Sequence, residues 1–154
     1  MSDLRNYILQ IKKCNELKII KTKVSTKYEI AGVTAKVDGS HAILFENIKE
    51  SDFNLVSNLV GTRKRFALAV GGTDKNIHQK VISAIKNAKA PKIISNGKFM
   101  ENKSKNIFSM PIVTHFEKES GPFITSSIAY AKNPETGKQN SSFHRMMPID
   151  KTHF

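Results

Sequence analysis

The sequence predicts an α+β protein, and three observations carry that expectation. Helix-type and strand-type segments alternate through the first ninety residues, segments after Ser109 read only as strands, and a Pro-to-Gly turn joins the last two. The expected organisation is an N-terminal α/β layer over 1–90, a connector over 91–109 and a strand region over 110–154. A chain of 154 residues is long enough for a core of its own, since folding at this length removes roughly 68–70% of the unfolded surface.

Leu4, Tyr7, Ile8 and Ile11 recur at three- and four-residue steps, which places them on one face of a helix that ends near Asn15, with Ser2 or Asp3 as N-cap. Leu17, Ile19 and Ile20 form a short strand. Thr26-Lys27-Tyr28-Glu29 has the form of a capping box, in which Thr26 and Glu29 satisfy each other's free backbone donors ahead of a helix through Ile30, Val33, Thr34 and Val37. Ala42–Phe45 is a buried strand and Asn54–Val60 another. Thr62 caps a helix over Arg63–Val70 that stops at Gly71-Gly72. The next helix runs from Thr73 or Asp74 to Ala88, with Ile77, Val81 and Ile85 on one side, and stops before Pro91.

Ser95-Asn96-Gly97 and the polar Glu101–Asn106 stretch mark the connector. Beyond it, Pro111–Phe116, Phe123–Ala131 and Asn140–Met147 are strands. Asn133-Pro134-Glu135-Thr136-Gly137 is the hairpin turn between the last two, because Pro presets a turn φ and Gly accepts a positive one.

The net charge is +12, from 25 Lys and Arg against 13 Asp and Glu. Twenty-one of the 25 cations are scattered lysines and only four are arginines, whereas base and phosphate recognition leans on the planar fork of arginine. The composition therefore describes a solvated basic surface more than a nucleic-acid-binding stripe, with Arg63-Lys64-Arg65 the one dense cluster able to hold an anion. A single Cys14 allows no internal disulfide and no multi-thiolate metal site, and the sequence shows neither an 18-residue apolar window nor a signal-peptide layout; a cytoplasmic protein is expected.

No nucleophile elbow, zinc-protease motif or phosphate-binding glycine loop is present, and the five histidines are isolated from one another. One segment stands apart. Gln139–Met147 places Asn, Ser, His and Arg on a strand directly after the hairpin turn, with Asn140, Ser142 and His144 on one face and Ser141, Phe143 and Arg145 on the other. The amide oxygen of Asn140 suits a hard divalent cation, and Arg145 offers a fork to a carboxylate or phosphate.

At these residues the sequence resembles the UbiD-type decarboxylases, which use prenylated flavin mononucleotide. The resemblance runs through Asp3-Leu4-Arg5, Ala42–Asn47 and Ser57–Gly71, and through Phe123-Ile124-Thr125, Asn133–Gly137, Asn140 and Arg145-Met146-Met147. It implies that the strand region is the start of an incomplete split β-barrel flavin-binding domain. It further implies that Asn140 is a metal ligand, that Ser142, Phe143 and His144 contact the cofactor, and that Arg145 holds the substrate carboxylate beside the flavin. The implied cofactors are prenylated FMN, a divalent metal, usually manganese, and a monovalent cation such as potassium.

The implied reaction is non-oxidative loss of CO2 from an α,β-unsaturated or aromatic acid, a phosphorylated acid such as anhydromevalonate phosphate among them. The family's further metal ligands, a His and a Glu, and its acid/base Glu pair have no counterpart in these 154 residues, and Ser126-Ser127 and Ser141-Ser142 replace small or apolar residues. Without a general acid a decarboxylase loses roughly 10²–10⁴ in rate. The expectation is therefore an N-terminal part or small subunit, inert alone and completed by a second chain, or else a truncated product. The competing readings are a stand-alone flavin- or anion-binding module and a basic nucleic-acid-binding protein.

Overall fold

The computed structural model describes residues 3–90, 92–97 and 100–154; Ser2 as a cap and Pro91 as a helix stop lie outside the described residues. The chain divides into two units, one of Met1–Thr22, Thr34–Asn47 and Asn54–Lys103, the other of Lys23–Val33, Ile48–Phe53 and Ser104–Phe154. Both units draw on discontinuous stretches of sequence. The elements are mixed helices and strands in two small sheets, an α+β arrangement. No helix among the described residues is long and apolar enough to cross a membrane.

In the first unit, α1 (Leu4–Lys13) starts where Asp3, in extended conformation, accepts the Asn6 N–H at 2.8 Å. Lys12 and Lys13 occupy its last turn, where cations complement the helix dipole. Its Tyr7 and Ile11 are buried against Leu17 and Ala42, as the three- and four-residue spacing predicts. β1 (Leu17–Ile20) pairs parallel with β2 (Ala42–Phe45), and β2 pairs antiparallel with β3 (Leu55–Ser57), so that β2 is central and supplies the buried Ala42, Ile43 and Phe45. Each large apolar side chain buried in this way contributes about 1.5–3 kcal/mol.

β3 is shorter than the predicted 54–60 strand, because Asn58 turns the chain at φ 57° and sends its side-chain amide to the His41 carbonyl at 2.9 Å. α3 (Arg63–Ala69) is capped by Thr62, which accepts the Arg65 N–H at 3.2 Å, and stops at Gly71 with φ 68°. α4 (Ile77–Lys86) begins later than predicted: the Asn76 side chain takes the Thr73 N–H at 2.7 Å and holds a turn there first. Of its predicted apolar face only Ile77 is buried; Ile85 is 73% exposed.

The second unit contains α2 (Glu29–Lys36) as far as Val33, a 3₁₀ turn over Ile107–Ser109, and the hairpin of β4 (Ile124–Lys132) and β5 (Gln139–Met146). The capping box before α2 does not form. Tyr28 sits at φ 69°, and the Glu29 carboxylate instead accepts the Ser25 N–H at 2.6 Å and pairs with Lys49 at 2.9 Å, while Glu50 takes the Thr26 N–H at 2.9 Å. The core here is Val24, Ile30, Ile48, Ile112 and Val113. The predicted Pro111–Phe116 strand is reduced to isolated bridges, because neighbouring residues pair with different segments: Val113 with Phe123 and Thr114 with Lys27.

Candidate functional site

The hairpin forms where the turn chemistry places it. Asn133 accepts the N–H groups of Glu135 and Thr136 on its side-chain oxygen, at 2.9 and 2.8 Å, and Gly137 takes φ 67°. Register then follows: Ile128 opposes Phe143, Ala129 opposes Ser142, Tyr130 opposes Ser141 and Ala131 opposes Asn140. Side chains alternate across the two faces. Asn140, Ser142 and His144 fall on one, and Ser141, Phe143 and Arg145 on the other.

On the first face the structure brings Ser142 and His144 together, with Ser142 Oγ 2.8 Å from His144 Nε2. The Ser127 hydroxyl donates to the His144 carbonyl across the strands. Asn140 is exposed, and its amide has no hydrogen bond among the described residues. This face offers hydroxyl, imidazole and amide groups, the chemistry that suits a phosphate or a cofactor edge. It does not by itself make a metal site: among the described residues no group of three His, Cys, Asp or Glu converges on a point. One neutral oxygen is too few for a divalent cation, which takes six or more oxygen ligands in total.

On the second face Phe143 is 81% exposed. The Arg145 guanidinium lies over the Phe123 ring, 4.6 Å from its centroid, and Arg145 has no hydrogen bond or ion pair among the described residues. The register shifts by one residue between Ile124 and Ser127, since Ile124 opposes Met146 and Ser127 opposes His144. Thr125 and Ser126 therefore both face Arg145, and this β-bulge sits at the arginine. Bulges of this kind bend the strand and re-aim side chains beside functional sites. The period-two pattern of the strands shows neither the bulge nor the placing of Phe123 against Arg145. The aromatic residue just ahead of a strand whose partner carries a lone arginine was the available clue.

The other basic cluster does not offer an anion site. Lys64 and Arg65 both bind Glu16, at 2.6 and 3.0 Å, and Arg63 lies 3.9 Å from Asp74. The hydrogen bond from Lys64 holds the Glu16 carboxyl below the usual carboxylate range, with burial opposing it and Arg65 adding to it. The remaining histidines have local surroundings. His153 Nδ1 lies 2.8 Å from Asp150, His115 lies 3.7 Å from Glu119, and His41 Nδ1 is buried without a partner among the described residues.

Comparison with known proteins settles the ancestry of this hairpin. Residues 8–85 match the 3-octaprenyl-4-hydroxybenzoate carboxy-lyase N-terminal domain and residues 86–154 match the Rift-related domain of the same carboxy-lyase. The chain belongs to the UbiD family. Anhydromevalonate phosphate decarboxylase of Methanothermobacter thermautotrophicus is 30% identical over 146 residues, 95% of this chain and 34% of that protein. The Methanosarcina mazei protein of the same name is 28% identical over 96% of this chain and 34% of its own length.

Among solved structures, an evolved dimeric form of the UbiD-class enzyme HmfF from Pelotomaculum thermopropionicum, in complex with prFMN, superposes with a TM-score of 0.92. It is 26% identical, over 98% of this chain and 37% of that one. This UbiD-family chain thus spans about a third of the length of the relatives it matches.

Proposed function

We propose that this chain supplies one wall of the cofactor and substrate site of a UbiD-type decarboxylase that uses prenylated FMN. The reaction replaces a carboxylate by a proton and releases CO2 from an α,β-unsaturated or aromatic acid, with no net oxidation and no external electron acceptor. Anhydromevalonate phosphate, the substrate named for two relatives, falls in the first class. A phosphorylated acid also suits a chain of net charge +12.

In this reading Ser142 and His144 bind the cofactor's phosphate side, Phe143 packs on its apolar part, and Arg145 grips the substrate carboxylate through its N–H fork. When bound, the flavin supplies the electron sink for carbon–carbon cleavage. Asn140 would give one oxygen to a divalent cation, manganese in the family pattern. In this reading the other metal ligands, any potassium-type ion and the acid/base carboxylates would come from the part of such an enzyme that these 154 residues do not represent, supplied in trans by a second polypeptide. Cys14, a single exposed thiol, fits a reducing cytoplasm.

The observation that carries this reading is Arg145, an exposed guanidinium held beside a bulge and left without an anionic partner among the described residues. The experiment is reconstitution: this chain is combined with a polypeptide corresponding to the remaining two-thirds of the M. thermautotrophicus relative, and CO2 release is measured with prenylated FMN and manganese. Arg145→Ala is expected to abolish turnover. Undiminished turnover removes Arg145 from the reaction.

A further inference from the structure

We propose that Phe123 is the positioning residue for Arg145, an assignment that rests on the reading of Arg145 as the carboxylate anchor. A guanidinium on a flexible stem is disordered in water unless something holds its plane. Ion pairs do this by occupying the N–H edge, as Glu16 does for Arg65 at 3.0 Å, and an arginine held that way has spent the donors a substrate needs. A ring does it differently. The cation lies on the π-face, and all the N–H donors stay in the guanidinium plane, free for a bidentate carboxylate.

The local backbone is arranged to hold the ring still. The Phe123 N–H donates to the Val113 carbonyl at 3.0 Å, and Val113 is only 8% exposed. The neighbouring Thr114 donates to the Thr26 carbonyl at 3.1 Å and accepts the Tyr28 N–H at 3.0 Å. Phe123 therefore leans on the part of this unit that is buried, while Arg145 stands on the exposed hairpin.

Continuing the Ile124–Met146 register, Phe123 lies diagonal to Arg145 on the same face, a spacing that long and aromatic side chains bridge. The extra residue of the bulge bends β4 at this point, and the ring sits 4.6 Å beneath the guanidinium.

The test is NMR of the arginine side chains in the full 154-residue chain, whose four arginines give four Nε–Hε resonances; Arg145→Lys identifies the fourth. In the wild type the Arg145 resonances are expected to be shifted by the Phe123 ring current, to show restricted Nε motion, and to move on titration with crotonate, an α,β-unsaturated carboxylate. Phe123→Leu is expected to release the ring-current shift, raise Nε mobility and weaken the crotonate response about 2- to 5-fold, the worth of an exposed cation–π contact. Phe123→Tyr, which keeps the ring, is expected to restore all three.

An Arg145 side chain as ordered in Phe123→Leu as in the wild type overturns the positioning role and leaves the anchor role standing. An ordered wild-type Arg145 that ignores crotonate overturns the anchor, and with it the purpose assigned to the ring. Unshifted Arg145 resonances in the wild type overturn the proposal without any variant.

Discussion

The sheet unit and the terminal hairpin each contain an arginine on a regular element, and they use it in opposite ways. Arg65 is fully buried, gives one nitrogen to Glu16 at 3.0 Å and to the Ser40 carbonyl at 2.6 Å, and leaves Nε and Nη2 without a partner among the described residues. Its own carbonyl accepts the Tyr7 hydroxyl at 2.9 Å, so the guanidinium, the α3 backbone and α1 are joined in one polar knot inside an apolar core. Arg145 is exposed and rests on a ring. A charge that has been desolvated and paired serves the architecture, and removing its partner is costly. A charge held only by its face remains available to a ligand, and the fold loses little without it.

The largest expected effect tests the buried side of that contrast. Glu16→Ala strands the Arg65 charge, and the expected loss is about 3–5 kcal/mol of unfolding free energy, read from urea denaturation; a loss below about 1 kcal/mol would mean that the knot is not structural. Acid is expected to act on the same pair. The Glu16 carboxyl lies below its ordinary range when folded, so its contribution is fully present above the unfolded value of about 4.3 and is lost as pH falls through the lower folded value. The difference in Tm between wild type and Glu16→Gln should therefore be constant above about pH 5 and shrink below about pH 4. A difference that grows on acidification reverses the assignment. The smallest effect lies in the hairpin: Arg145→Ala is expected to change unfolding free energy by no more than about 1 kcal/mol, although it removes the proposed carboxylate anchor.

Much of the frame was legible from the residues. The spacing of Leu4, Tyr7 and Ile11, the caps Asp3 and Thr62, and the Asn133–Gly137 turn each state a local rule that the structure obeys. The errors fall where a tertiary partner competes with a local one. The capping-box pattern pairs Glu29 with Thr26, but Glu29 binds Ser25 and Lys49. Arg63-Lys64-Arg65 looked like a free basic cluster, yet Glu16, nearly fifty residues earlier, takes two of its three charges. Pro111–Phe116 has strand composition but finds no continuous partner strand.

The sequence by itself determined most of the element types, the hairpin turn, and the division of β5 into an Asn140, Ser142, His144 face and an Arg145 face, because these follow from periodicities of a few residues. Only the tertiary structure decided which arginine is sealed and which is offered, and that a ring lies beneath the second. Those outcomes depend on burial and on distances between residues far apart in the chain or displaced by a one-residue bulge, and no local pattern encodes them.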